Sequence, residues 1–218
     1  MSSGFLPIEP PDPCHAPVLN QPAWDLALLY PLQGHWSEED YLELTDKTRR
    51  LIEYTSGQIE VLPMPSIEHQ LILTYLFRML DGFVMKRQLG VVVCSGTRVY
   101  IQPEKYREPD LVFKYAAKHT RSNRRYLESA DLVMEIVSDD PVSQTRDFEK
   151  KVLDYAAGGI PEYWIVAPQT RQITVYALVG TAYEQHGLFS EGEIATSKLL
   201  ADFMVDVAEV FAAGKASF

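Results

Sequence analysis

The sequence predicts an α/β domain, and three segments carry that prediction. Residues 131–138 form an apolar run rich in β-branched side chains, which is typical of a strand buried on both faces of a sheet. Residues 67–88 are apolar around much of a helical circumference, so they predict a long helix packed against that sheet. A second helical pattern at 148–155 is followed by another buried strand at 160–166. Helices and strands therefore alternate through one domain.

The amino-terminal segment, residues 1–33, differs in composition from the rest of the chain. It contains seven of the 14 prolines, namely Pro7, Pro10, Pro11, Pro13, Pro17, Pro22 and Pro31. Because proline cannot donate to a helix or to a central strand, this composition predicts an extended arm. The single domain is expected to span residues 34–218.

Helix caps and turn residues predict the first half of the domain. Ser37 before three acidic residues predicts the start of a short helix that ends near Thr45. Residues 51–54 and 59–62 predict a hairpin, and Ser66 caps the long helix, which Gly90 stops. The further expected strands are 91–94, 98–101 and 111–113.

The second half of the domain is predicted in the same way. Residues 172–178 and 182–186, separated by Gly180, predict a hairpin, and residues 205–212 predict a closing helix. In the helix at 148–155 the spacing predicts that Phe148, Lys151, Val152 and Tyr155 face inward, whereas Lys150 points toward water.

Composition limits the class of protein. The chain has 218 residues, 46% of them hydrophobic, which is enough to bury one core. No apolar run reaches the length of a membrane span, and the first residues lack the pattern of a signal peptide, so a cytoplasmic location is expected. Cys14 and Cys94 support neither a disulfide framework nor a thiolate metal site. The net charge of −10 opposes non-specific attraction to nucleic acid.

Four motifs stand in order along the chain and together resemble a known family. The first two are Arg107-Glu108-Pro109-Asp110 and Glu135-Ile136-Val137-Ser138. The third consists of Asp147, Lys151 and Tyr155, each four residues apart. The fourth is the segment 159–166, Gly-Ile-Pro-Glu-Tyr-Trp-Ile-Val. This series resembles the Uma-two family of restriction-endonuclease-like proteins, which by resemblance belongs to the PD-(D/E)XK nuclease superfamily. The similarity covers about residues 36–211.

The resemblance implies a fold and a chemistry. The expected fold is a restriction-endonuclease-like core, a central mixed β-sheet flanked by helices in the order α-β-β-β-α-β, with extra hairpins. The expected activity is hydrolysis of DNA phosphodiester bonds with Mg²⁺ or Mn²⁺, ions that prefer oxygen ligands. Asp110 and Glu135 are the expected metal-binding carboxylates, with the Ile136 carbonyl as a further oxygen and Lys151 as the catalytic cation. The superfamily commonly carries its lysine two residues after the acid, where this chain has Val137.

Several of these residues also have a structural interpretation. Glu135 lies among apolar residues and requires a partner, which is either a metal ion or Lys151 in a buried ion pair. Asp110 is also suited to a strand entrance. Glu68, in the first turn of the long helix, either faces the site as an assisting catalytic acid or only stabilises the helix terminus. His69 is expected to be a local hydrogen-bond partner and Tyr155 to pack.

Basic residues near the site are the candidates for binding nucleic acid. Arg107 is expected to contact a phosphate or to pair with Glu108 or Glu135. A polar loop between the two acid-bearing strands carries the chain's one basic cluster, which either tracks a nucleic-acid backbone or is simply solvated: Lys118, Arg121, Arg124 and Arg125.

Three functions therefore compete. The first is a metal-dependent DNA endonuclease that uses Asp110, Glu135 and Lys151, with Glu68 assisting. The alternatives are a catalytically weak nucleic-acid-binding relative and a partner-binding protein that kept the fold. The expected partners are DNA, as substrate, and a second copy of the chain in a homodimer, with no membrane partner.

Overall fold

A computed structural model describes residues 32–116 and 124–215. Most of the predicted amino-terminal arm, residues 1–31, lies outside the described residues. The helices are α1 Glu38–Lys47, α2 Ile67–Arg87, α3 Pro141–Thr145, a π-helical turn Arg146–Lys150, α4 Lys151–Ala157 and α5 Val207–Ala213. The strands are β1 Ile52–Thr55, β2 Gln58–Val61, β3 Gly90–Cys94, β4 Val99–Gln102, β5 Lys105–Arg107, β6 Leu111–Tyr115, β7 Leu132–Ile136, β8 Glu162–Ala167, β9 Gln172–Val179, β10 Ala182–Ser190, β11 Ile194–Thr196 and β12 Met204–Asp206.

The central sheet is mixed, as predicted. Its strand order is β10-β9-β8-β7-β6-β3, in which β7 and β8 are parallel and the other neighbours antiparallel. One face packs against α2 and α5 through a core that includes Leu76, Phe113 and Trp164. The opposite face packs against α4 through a second core that includes Val133 and Tyr155. The prediction of helices on a buried sheet is confirmed.

A second, smaller sheet joins the amino-terminal hairpin to the middle of the chain. Its order is β2-β1-β5-β4, and it packs against α1 around the aromatic rings of Tyr41, Tyr54 and Tyr106. The predicted hairpin is confirmed, and its turn residues Ser56 and Gly57 both have positive φ, as a two-residue turn that matches strand twist requires. β5 was not predicted, because three residues give too little alternation to identify a strand.

The long helix α2 forms where the sequence predicts it. The side chain of Ser66 accepts a hydrogen bond from the backbone N–H of His69, and the helix ends at Gln88 in a left-handed conformation. Gly90 then lets β3 approach β6 closely, since a Cβ at this position would lie 2.0 Å from the Lys114 carbonyl oxygen. Within the described residues, no helix has the length and apolar composition to span a membrane.

The carboxyl-terminal elements differ from prediction in their bounds. The β9–β10 hairpin is confirmed and is longer than expected. The predicted helix at 205–212 begins only at Val207, because the preceding residues form β12, which pairs with β11. Asp206 caps this helix by accepting from the N–H groups of Ala208 and Glu209.

Candidate active site

Asp110 lies at the entrance of β6, where three structural elements meet. Antiparallel pairing places Leu111 opposite Met134, so Asp110 and Glu135 occupy the next opposed positions of β6 and β7. Asp110 Oδ2 accepts a hydrogen bond of 2.8 Å from the Ile136 N–H and lies 3.1 Å from His69 Nε2. The structure therefore brings the two predicted carboxylates together.

Lys151 is the centre of a buried ion cluster. Its Nζ lies 2.7 Å from Glu135 Oε1, 3.2 Å from Glu53 Oε1 and 3.4 Å from Asp147 Oδ1. Lys151 is only 1% exposed, Glu53 2% and Glu135 3%. Three carboxylates thus surround one ammonium group, Glu135 as a hydrogen-bond acceptor and Glu53 and Asp147 as ion-pair partners, which is how a buried lysine remains charged. Burial acts to lower the pKa of Lys151, but these carboxylates outweigh it and raise that pKa.

The π-helical turn before α4 determines which side chains reach this cluster. A π turn adds a residue to the helical period, so Phe148 leaves the face of Lys151 and Tyr155 and is 41% exposed, whereas Asp147 is buried beside Lys151. The prediction that Phe148 faces inward is therefore wrong. The predictions for Lys151 and Lys150 agree with the structure, because Lys151 is buried and Lys150 exposed.

Glu53 reaches the cluster from the small sheet, and the sequence analysis did not select it. It accepts a hydrogen bond from the Glu108 N–H, and its Oε2 lies 3.6 Å from Arg107 Nε. Burial acts to raise the pKa of Glu53, but Lys151 and Arg107 outweigh burial and hold that pKa below its usual value. Glu53 lies between the apolar residues Ile52 and Tyr54, and Glu135 was selected because it also lies among apolar residues. The sequence therefore contained the signal needed to predict Glu53 as a site residue.

Arg107 is a structural cation. Its guanidinium is buried and donates to Asp154 Oδ2 at 2.9 Å from Nε and at 2.6 Å from Nη2. Its Nη1 donates to the carbonyl oxygens of Tyr54 and Tyr106. The partners of Arg107 are Asp154 and Glu53 in place of the expected Glu108 or Glu135. The expected phosphate contact stays a prediction.

Two acids of the site have strongly raised pKa values. Burial, reinforced by the carboxylates of Asp147 and Asp110, raises the pKa of Glu135 to about 8, although Lys151 acts in the opposite direction. Burial and the negative charge of Glu53 raise the pKa of Glu108 to about 8. Tyr155 was expected only to pack, yet its hydroxyl donates a hydrogen bond to Glu135 Oε1. Burial raises the pKa of the Tyr155 hydroxyl above its usual value.

These raised values predict that the protein loses stability as the pH rises toward 8. An acid whose pKa is raised in this way binds more protons in the folded state than in the unfolded state. Its contribution to the free energy of unfolding is complete below the unfolded pKa of 4.5 and is lost as the pH rises from there to about 8. Urea unfolding at about pH 6 and about pH 8 measures this loss. Glu108→Gln removes one of the two groups and should make the loss smaller. An equal loss in the unmodified protein and the variant would contradict the raised pKa of Glu108.

The candidate residues line a small cavity. Its volume is about 30 Å³, and Glu108, Asp110, Glu135, Asp147 and Lys151 are among its lining residues. Pro63, His69 and Ser138 line both this cavity and a neighbouring cleft of about 250 Å³. The carboxylates are therefore next to a cleft through which a ligand can approach.

Of the two neighbours Glu68 and His69, His69 lines the small cavity and Glu68 does not. Glu68 is exposed, and its side chain lies beside Gly214 and lines the larger cleft, not the small cavity, so its assisting role stays a prediction. His69 is buried and contacts Asp110 instead, as the expected hydrogen-bond partner.

The basic loop falls only partly within the described structure, because Lys118 and Arg121 lie outside the described residues. Arg125 forms ion pairs of 2.9 Å with Glu39 and 2.8 Å with Asp46, both on α1. Arg124 is exposed. Arg125 therefore connects this segment to α1, and of the two described members of the cluster Arg124 is the more exposed.

The mixed central sheet, with α2 on one face and α4 on the other, defines a nuclease-like α/β fold. The structure is similar to the crystal structure of "a putative nuclease belonging to DUF820" from Anabaena variabilis ATCC 29413, with a TM-score of 0.64 and 17% sequence identity. The match covers 79% of this chain and 98% of that chain. Residues 38–208 match the profile of the Uma2 family, described as "Putative restriction endonuclease". The chain belongs to the Uma2 family, as the sequence motifs predicted. No curated protein gives a significant match.

Proposed function

We propose that this protein is a divalent-metal-dependent endonuclease that hydrolyses phosphodiester bonds in DNA. The observation that carries the proposal is that Asp110 and Glu135, on opposed positions of two strands, line one small cavity with Lys151. The descriptions of the Uma2 family and of the Anabaena protein support a nuclease and a nucleic-acid substrate.

The residues present suit Mg²⁺ or Mn²⁺, which take oxygen ligands. Both hydrogen bonds to Glu135 from the described residues go to Oε1, which leaves Oε2 to the cavity. Asp110 and Glu135 would hold the ion, and Ile136, whose backbone orients Asp110, would add its carbonyl oxygen.

No three His, Cys, Asp or Glu side chains in residues 32–116 and 124–215 converge as a metal cage. Mg²⁺ commonly binds through one or two carboxylates and keeps several waters. When bound, the ion supplies a Lewis acid for the phosphate and a more acidic water.

The other side chains have positioning and electrostatic roles. Because a carboxylate only accepts hydrogen bonds, His69 donates from Nε2 and fixes the orientation of Asp110. Glu53 and Asp147 keep Lys151 charged and beside Glu135. From there the ammonium group is placed to stabilise negative charge that develops on a phosphate.

The carboxylate pair can be tested by binding and cleavage together. Asp110→Asn and Glu135→Gln keep the shape of each side chain but remove its charge, so each should abolish Mn²⁺ binding in calorimetric titration. Both should also abolish nicking of plasmid DNA in Mg²⁺ or Mn²⁺. Glu68→Gln is the matched control, since Glu68 is exposed outside the small cavity, and it should bind Mn²⁺ normally. Unchanged affinity in both site variants would reject this metal site.

A binding-only relative is the second candidate, and one observation favours it. Three carboxylates already surround Lys151, Glu135 as a hydrogen-bond acceptor and Glu53 and Asp147 as ion-pair partners, so the lysine charge is balanced without substrate. If the unmodified protein binds DNA but never cuts it with any metal tried, this second function replaces the first.

A further inference from the structure

Glu108 has a buried oxygen without a partner. The residue is 5% exposed and lies between β5 and β6, two positions before Asp110. Its Oε2 makes no hydrogen bond in the part of the chain that the structure describes. A buried polar atom without a partner destabilises the folded protein, so it requires an explanation such as an ion or an ordered water.

The location of Glu108 indicates what the partner is. Glu108 lines the same 30 Å³ cavity as Asp110 and Glu135. A volume of this size holds a water molecule or a small ion, and the walls are polar enough to bind either. The Glu108 side chain therefore borders the space in which the proposed ion would bind.

The geometry favours a contact between Glu108 and the ion through a water molecule over a direct bond. Asp110, Glu135 and Glu108 do not form a three-ligand cluster among the described residues. A hydrated Mg²⁺ or Mn²⁺ retains waters whose hydrogens need acceptors, and carboxylates next to metal sites commonly supply them.

We propose that Glu108 is a third carboxylate of this site, which accepts a hydrogen bond from a water in the hydration shell of an ion held by Asp110 and Glu135. The inference rests on the proposed function and adds Glu108 to Asp110 and Glu135, the two carboxylates predicted to bind the metal. It accounts for the unpaired oxygen, because that oxygen gains a donor only when the ion and its water are present.

Calorimetric titration of the full chain with Mn²⁺ tests the role of Glu108. Glu108→Gln should bind Mn²⁺ about 10-fold more weakly, the size of effect typical for groups that act on a metal through its first ligands. Glu184→Gln is the control, because Glu184 is exposed on β10 and outside the cavity lining, and its affinity should be unchanged. Circular dichroism confirms that each variant is folded.

The outcomes separate this inference from the proposed function. If Asp110→Asn and Glu135→Gln abolish binding while Glu108→Gln binds as tightly as the unmodified protein, only the role of Glu108 is rejected. If the unmodified protein binds no Mn²⁺, the proposed site and this inference both fail.

A crystal of the unmodified protein soaked in Mn²⁺ gives a second measurement that does not depend on a variant. A water between the ion and Glu108 Oε2 is the expected result. An Mn²⁺-loaded site in which Oε2 still has no partner, or bonds directly to the ion, would overturn the proposed role.

Discussion

Replacing Lys151 with Met is expected to abolish metal-dependent DNA cleavage and to lower the free energy of unfolding by about 3–5 kcal/mol. The loss of stability follows because Glu53, Glu135 and Asp147 would remain buried without the cation that they share. Cleavage would stop because the ammonium group that faces the developing phosphate charge is gone. Urea unfolding and plasmid nicking measure the two effects separately, at a temperature where the variant is folded.

Lys150→Met is the matched control for this experiment. Lys150 is exposed and sits one position earlier, so its replacement should change stability by less than about 0.5 kcal/mol and leave cleavage intact. Mn²⁺ binding should survive in both variants, because the carboxylates are unchanged. A Lys151 variant that cuts DNA as fast as the unmodified protein would contradict the proposed mechanism.

Replacing Glu162 with Ala is expected to lower the free energy of unfolding by about 4 kcal/mol or more. The carboxylate is fully buried at the start of β8 and accepts four hydrogen bonds. The donors are Trp164 Nε1, the Ser197 hydroxyl and the backbone N–H groups of Lys198 and Leu199. Removing one side chain therefore leaves several donors without acceptors and releases the loop that precedes β12.

Glu184→Ala provides the comparison for Glu162. Glu184 is exposed on β10 of the same sheet, so its replacement should change stability by less than about 0.5 kcal/mol. Chemical unfolding monitored by Trp fluorescence gives both values. A loss for Glu162→Ala no larger than that for Glu184→Ala would show that these hydrogen bonds contribute nothing net.

The sequence by itself determined the elements that depend on local pattern. The Ser66 cap and apolar spacing located α2, and the β-branched run located β7 with Glu135 inside it. The difference between Lys151 and Lys150 also followed from helical spacing. Such features depend on residues that are close in sequence, so they can be predicted from the sequence alone.

Only the tertiary structure decided how distant charges combine. A π-helical turn, which apolar periodicity does not indicate, turned Phe148 outward. Arg107 pairs with Asp154, 47 positions further along the chain, and Glu53 meets Lys151 only because the small sheet packs beside α4. The partner of a buried charge is selected by desolvation and by distance in three dimensions, and neither quantity can be read from residue spacing.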